Sequence, residues 1–139
     1  MNSKEYLQEI RKMNDDINEK KMDLHELKIM SKSIPAINNG EKVQSSPNFD
    51  KIGTLIAKID ELEREIERMK DVFGDRKNEA VDFIMLLDKP RDRDLIFRKY
   101  ILFEKNKKIS QDYGIKERAV KKAHKIALER LDEKAQNIV

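Results

Sequence analysis

ISQDYGIKERAVKKA, residues 109–123, sets a glycine between two short runs of helix-forming residues. Its reading decides the fold. Two helices that cross steeply need a small residue at the crossing, and Ser110 follows the apolar Ile109 there. Their turn needs a residue at ease with positive φ, which Gly114 supplies. Tyr113, Ile115, Val120 and Ala123 fall at the spacings that close a small core around the bend. Ile109, Ser110, Tyr113, Gly114, Ile115 and Val120 are therefore the expected turn and core of a helix-turn-helix. The plainer alternative is one surface helix stopping and another starting.

The helix after the turn is expected to run to about Lys134 and has two faces. Glu117, Arg118, Lys121, Lys122 and Lys125 lie at i, i+1, i+4, i+5 and i+8, on one side. Val120, Ala123, Ala127, Leu128 and Leu131 lie on the other. In a helix-turn-helix the start of this helix enters the major groove. Arg and Lys there donate to guanine O6 and N7 or neutralise phosphate. The alternative is an ordinary solvated, lysine-rich face.

Upstream, Asp88-Lys89-Pro90 should end a long helix. A further helix is expected over 91–103, with Leu95, Ile96, Tyr100 and Phe103 inward, then a short one over 105–113. Before them lie two apolar seams. Tyr6, Ile10, Met13, Ile17, Leu24 and Leu27 step as heptads, with Lys20 filling one slot. This predicts a helix from an N-cap at Ser3 to about Ser31, stopped by Pro35 and Asn38-Asn39-Gly40. Ile52, Leu55, Ile59, Leu62, Ile66, Met69, Phe73, Ala80, Phe83 and Leu87 predict a second helix over 51–88, capped by Asp50. Gly74 sits within it at a cost of roughly 1 kcal/mol relative to Ala, with a break there as the alternative.

Neither seam is buried alone. An antiparallel coiled-coil hairpin joined by a long loop, 33–49, is expected; the loop is expected to be mobile, with Val43 and Phe49 tucked back against the stalk as the alternative. Self-association through the same seams is the competing arrangement. The expected fold is all-α: a hairpin over 1–88 and a helix-turn-helix domain over 89–139. Composition agrees, since 41% of the 139 residues are charged, 6% are aromatic, and only 4 Gly and 3 Pro interrupt the chain.

Charge is uneven. Residues 1–90 carry 16 Lys/Arg against 19 Asp/Glu, and residues 91–139 carry 14 against 8, a balance of −3 and +6 within a net +3. The basic end suits a polyanion. There is no Cys, so no disulfide framework or thiolate metal site is available. MNSKEYLQEIRK lacks the apolar stretch of a signal peptide, and the longest aliphatic run, Phe83–Leu87, is too short for a bilayer. A soluble, cytoplasmic protein without membrane association is expected.

His25 opens HELKI, which lacks the second His of a zinc-protease helix. His124 is expected on the flank of the last helix, with a phosphate contact as its functional alternative. Glycines are scattered singly, so no phosphate loop forms. Carboxylates alternate with Lys and Arg, as in IDELEREIERMK, a pattern for helix pairing. No enzyme activity, metal or cofactor is expected.

FRKYILFEKNKKISQDYGIKERAVKKAHKIALERL resembles region four of bacterial sigma factors. The likeness lies in RKY at 98–100, I-S-x-x-Y-G-I at 109–115, Val120, and A-L-x-x-L at 127–131. The whole chain, with its VQSSPNFDK segment at 43–51, resembles small Firmicute prophage proteins related in pattern to ArpU-type phage transcriptional regulators. Carried over, the resemblance implies base or phosphate contacts at Glu117, Arg118, Lys121 and Lys122. It departs at Lys105 and Lys116, where such domains open helices with Ser or Thr, at Leu102 and Phe103, where a polar-Gly turn is common, and at Ile126, which stands where solvent exposure is expected.

The function so implied is a DNA-binding regulator in a bacterial host cell, in which a coiled-coil stalk carries the reading head. Double-stranded DNA is the expected partner, with RNA polymerase, another phage protein or a second copy as further partners. The alternative is a prophage interaction or assembly adaptor that keeps the helix-turn-helix shape without reading DNA.

Overall fold

A computed structural model describes residues 2–33 and 47–137, with backbone only at 47–49. Those residues form an all-α chain of five helices with no strand: α1 Ser3–Ser33, α2 Pro47–Ile84, α3 Pro90–Tyr100, α4 Asn106–Tyr113 and α5 Glu117–Gln136. They divide into two compact units, Asp15–Val72 and a second made of Met1–Asn14 with Phe73–Val139. Residues 1–14 and 73–88, which the sequence assigned to the stalk, thus belong with the C-terminal helices.

Helix boundaries follow local chemistry. α1 is capped by Asn2, not Ser3: the Asn2 Oδ1 accepts from the Glu5 N–H at 2.8 Å. Ser3 is the first helical residue and is buried, its Oγ without a partner. α2 begins at Pro47, where a missing N–H costs nothing, so Asp50 lies in its first turn instead of capping it. α2 passes Gly74 without a break. It ends at Ile84, short of the expected 88, because Leu86 and Leu87 bond back to Phe83 and Ile84 in i→i+3 turns. Leu87 stays buried through those turns, which is why the apolar phase overran the helix. Arg93 Nη1 donates to the Leu87 and Asp88 carbonyls at 2.8 and 3.3 Å, satisfying the chain end.

α3 stops at Tyr100, not 103. Phe103 takes φ 56, the left-handed region, and lets the Glu104 N–H reach the Arg98 carbonyl at 2.9 Å. Its ring stacks on Phe73 at 6.3 Å. The expected 33–49 connection is narrower than predicted, since α1 reaches Ser33 and α2 starts at Pro47. Pro35, the Asn38-Asn39-Gly40 cluster, Val43 and the Phe49 side chain lie outside the described residues.

In the unit 15–72, α1 and α2 bury Ile17, Leu55 and Ile66. Lys20 pairs with Glu65 at 3.6 Å and Lys28 with Glu63 at 3.3 Å. Such exposed pairs contribute about 0–1 kcal/mol each, so the seam carries the pairing.

The other unit packs one main core from Leu7 and Ile10 of α1, Ala80 and Ile84 of α2, Leu87, Ile96 and Tyr100 of α3, Ile101, and Ala127, Leu128 and Leu131 of α5. Full burial of each large aliphatic side chain stabilises by about 1.5–3 kcal/mol. A satellite core joins Leu95, Ile109 and Val120, with Tyr113, Ile115 and Ala123 against it. Leu7 and Ile84, fully buried, were absent from the predicted seams.

Candidate nucleic-acid interface

The stretch 109–123 folds around Gly114, at φ 70 and ψ 31. The Gly114 N–H reaches the Gln111 carbonyl at 3.3 Å and the Ile115 N–H reaches Ser110 at 3.1 Å. These crossed bonds satisfy two carbonyls that the end of α4 would otherwise leave open. Ser110 is buried, and its hydroxyl donates to the Lys107 carbonyl at 2.8 Å, so the small residue at the crossing is satisfied. Ile109 and Val120 meet in the satellite core, with Tyr113 and Ile115 on its rim. Ile109, Tyr113, Ile115 and Val120 share the satellite core, and Ser110 and Gly114 stand at the turn.

α3 holds α4 through charge. Arg98 Nε donates to Glu104 at 2.8 Å, and its Nη2 donates to Asp112 of α4. The Asp112 bond comes first in holding Arg98 protonated, and Arg98 in turn lowers the Asp112 pKa. Tyr113 lies beneath the Arg91 and Arg98 guanidinium groups and donates to Asp94. Burial first, then that bond, pushes the Tyr113 phenol up to about 12. α3 holds α5 as well: Arg130 Nη1 donates to the buried Asp92 at 2.7 Å.

Glu117, Arg118, Lys121, Lys122 and Lys125 are all exposed on α5. Among the described residues none of the four cations pairs with a carboxylate, whereas Arg98, Lys108, Arg130 and Lys134 of the same unit all do. The four cations at the start of α5 thus keep their charge without a carboxylate partner. Lys105 and Lys116 stand at the N-cap positions of α4 and α5 with no side-chain cap. Ile126 is half-buried rather than solvent-facing.

His124 is not a free phosphate ligand. Its Nε2 is hydrogen-bonded to the Tyr100 hydroxyl at 2.7 Å, with the rings 5.4 Å apart. Burial, then the positive charges of Lys99, Lys4 and Arg11, bring its pKa down to about 4. Lys99 is lowered by burial and by Arg11 and Lys121. The sequence reading missed this second set of cations. Arg11 Nη2 donates to the Lys99 carbonyl at 3.3 Å across 88 positions of sequence, and Lys99 Nζ donates to Asn106 at 2.7 Å. One signal was available: Lys4 and Arg11 stand seven apart, on one face of α1, beside the buried Leu7.

Among the described residues no cluster of His, Asp or Glu has the makings of a metal site, and no helix is long and apolar enough to cross a membrane. No protein family, curated protein or solved structure compared with this chain matches it.

Proposed function

We propose that the chain is a DNA-binding transcriptional regulator of phage type. Its α4–Gly114–α5 segment is read as a helix-turn-helix of sigma region-four type. Arg118, Lys121, Lys122 and Lys125 face the duplex, and Glu117 sits at a base edge. The observation that carries this reading is the unpaired, exposed cationic face at the start of α5, directly after a left-handed glycine turn. Affinity comes mainly from phosphates and specificity from two or three side chains in the groove. No bond is made or broken. Residues 15–72 are read as part of an antiparallel coiled coil. Their ion pairs support that direction, because positions rise from Lys20 to Lys28 on α1 as they fall from Glu65 to Glu63 on α2.

The test is duplex binding by fluorescence anisotropy across a salt series. Affinity should fall with a log–log slope of about 0.9 per neutralised phosphate. Lys121→Glu with Lys122→Glu should abolish binding while leaving helicity unchanged. Binding equal to the parent would reject the assignment.

Leu102 and Met85, 51% and 61% exposed, favour a second reading as an adaptor that docks a partner protein. That reading expects no steep salt dependence on duplex DNA.

A further inference from the structure

We infer that the duplex-contacting surface continues beyond α5 onto α1 and α3, where Lys4, Arg11 and Lys99 bind the phosphates of a strand flanking the groove that α5 occupies. This rests on the DNA reading above and enlarges it.

The start of α1 is fixed to the reading head rather than trailing from it. Its Ser3 N–H donates to Asp132 Oδ1 of α5 at 2.7 Å, which supplies a carboxylate to the positive end of the helix. Arg11 is tied to the Lys99 backbone of α3. Between those two ties Leu7 and Ile10 are buried in the core shared with Tyr100, Leu128 and Leu131. Three anchors over two turns hold Lys4 and Arg11 in place against α3 and α5. At seven residues' separation they share one face of α1.

That face is positive and unneutralised. Among the described residues Lys4, Arg11, Lys99 and Lys121 make no ion pair. Glu5 and Glu9, four residues apart, share a different face of α1 from Lys4 and Arg11. The acidic side of α1 is thus turned from the cationic one. Lys121 is the link: it belongs to the α5 face one turn before His124, whose ring is bonded at 2.7 Å to Tyr100, the chain neighbour of Lys99. From Arg118 and Lys122 the cations run through Lys121 and Lys99 to Arg11 and Lys4, past the uncharged Tyr100–His124 pair. A helix in a major groove has a phosphate strand on each side, and a cationic track leaving one flank of α5 suits one of them.

The experiment compares the full chain with Lys4→Gln plus Arg11→Gln, and with Lys121→Gln plus Lys122→Gln, on a labelled random-sequence duplex in a KCl series. Losing two phosphate contacts should lower the log–log slope by roughly 1.8 in the first variant. Arg11→Lys keeps the charge and should keep the slope, which separates phosphate binding from a structural role. Lys4→Gln alone, at an exposed side chain without a hydrogen-bond partner, should lower the slope by roughly 0.9 even if the double variant folds poorly. A parent that binds no duplex overturns the DNA reading and this extension with it. A parent whose slope falls in the α5 variant but not in the α1 variants overturns the extension alone.

Discussion

Gly114→Ala isolates one backbone conformation. Gly114 sits at φ 70, and a Cβ built there meets nothing within 4 Å, so no clash enters the cost. What remains is the left-handed backbone, roughly 1–2 kcal/mol for a residue with a Cβ. The reduced freedom of the unfolded chain returns about 0.4–1 kcal/mol. A net loss of about 1 kcal/mol is expected. For a domain of about 60–100 residues that lowers Tm by about 4–8 °C. Asn, which tolerates this region, should lose less than Ala, and Val should lose more. The assay has a built-in reporter: the chain has no Trp, and its three tyrosines, Tyr6, Tyr100 and Tyr113, all belong to the unit that contains Gly114. Tyrosine emission in a urea or thermal titration therefore follows that unit and not the unit 15–72. An Ala variant as stable as the parent, or an order in which Asn loses more than Ala, would refute the left-handed turn. With it would go the placement of α5 on which the DNA reading depends.

His124 gives a pH dependence of known sign. Its folded pKa of about 4 lies below the ordinary imidazole value, so between the two the unfolded chain binds the extra proton. The contribution is complete above about pH 6.5 and is lost as pH falls toward 4. The ceiling is about 3 kcal/mol at 1.36 kcal/mol per pH unit, and solvent at the half-buried ring lowers it to roughly 1–2 kcal/mol. His124→Gln should flatten that limb of the urea midpoint against pH, and an unchanged slope would contradict it. Arg130→Ala should cost about 1–3 kcal/mol by leaving the carboxylate of Asp92, itself 8% exposed, without its partner. Adding Asp92→Asn should recover part of that loss in a double-mutant cycle; no recovery would mean that the pair is not coupled.

What the sequence disclosed follows the range of the forces involved. Gly114 was legible because only a residue without a side chain fits that conformation cheaply. The basic face of α5 was legible because the same helix shows its apolar positions, which leaves the polar side by exclusion. The end of α2 was not, since Leu87 keeps the apolar phase through two i→i+3 turns that no periodicity separates from helix. Asn2 was passed over for Ser3 because both are good capping residues, and only packing against α5 selects Ser3 for the interior. The cations of α1 and α3 were invisible for a different reason. They meet α5 through a core joining positions 7 and 10 to positions 128 and 131, and nothing local marks such a pairing.

Two features of the free chain are energetically unfavourable in the same way. α4 and α5 each open on an uncapped lysine, which leaves the first N–H groups without side-chain acceptors and sets positive charge against the positive end of the helix dipole. Glu117 offsets that charge in part in α5, and no first-turn carboxylate does so in α4. Beside them the pKa of Lys99 is lowered first by burial and then by the charges of Arg11 and Lys121. Capping by Ser or Thr would remove the first cost, and a single carboxylate would ease the second. The chain has 27 acidic residues, yet among the described residues none of them pairs with Lys99, Lys105 or Lys116, whereas Arg98, Arg130 and Lys134 all have carboxylate partners. Under the proposed reading, one class of ligand relieves both costs. A phosphate strand brings acceptors to open N–H groups and negative charge to crowded cations. If such a strand is the ligand, Lys116→Ser should stabilise the free protein by about 0.5–2 kcal/mol through capping while weakening duplex binding. A variant that gained stability and bound duplex as well as the parent would show that the uncapped lysine serves no DNA contact.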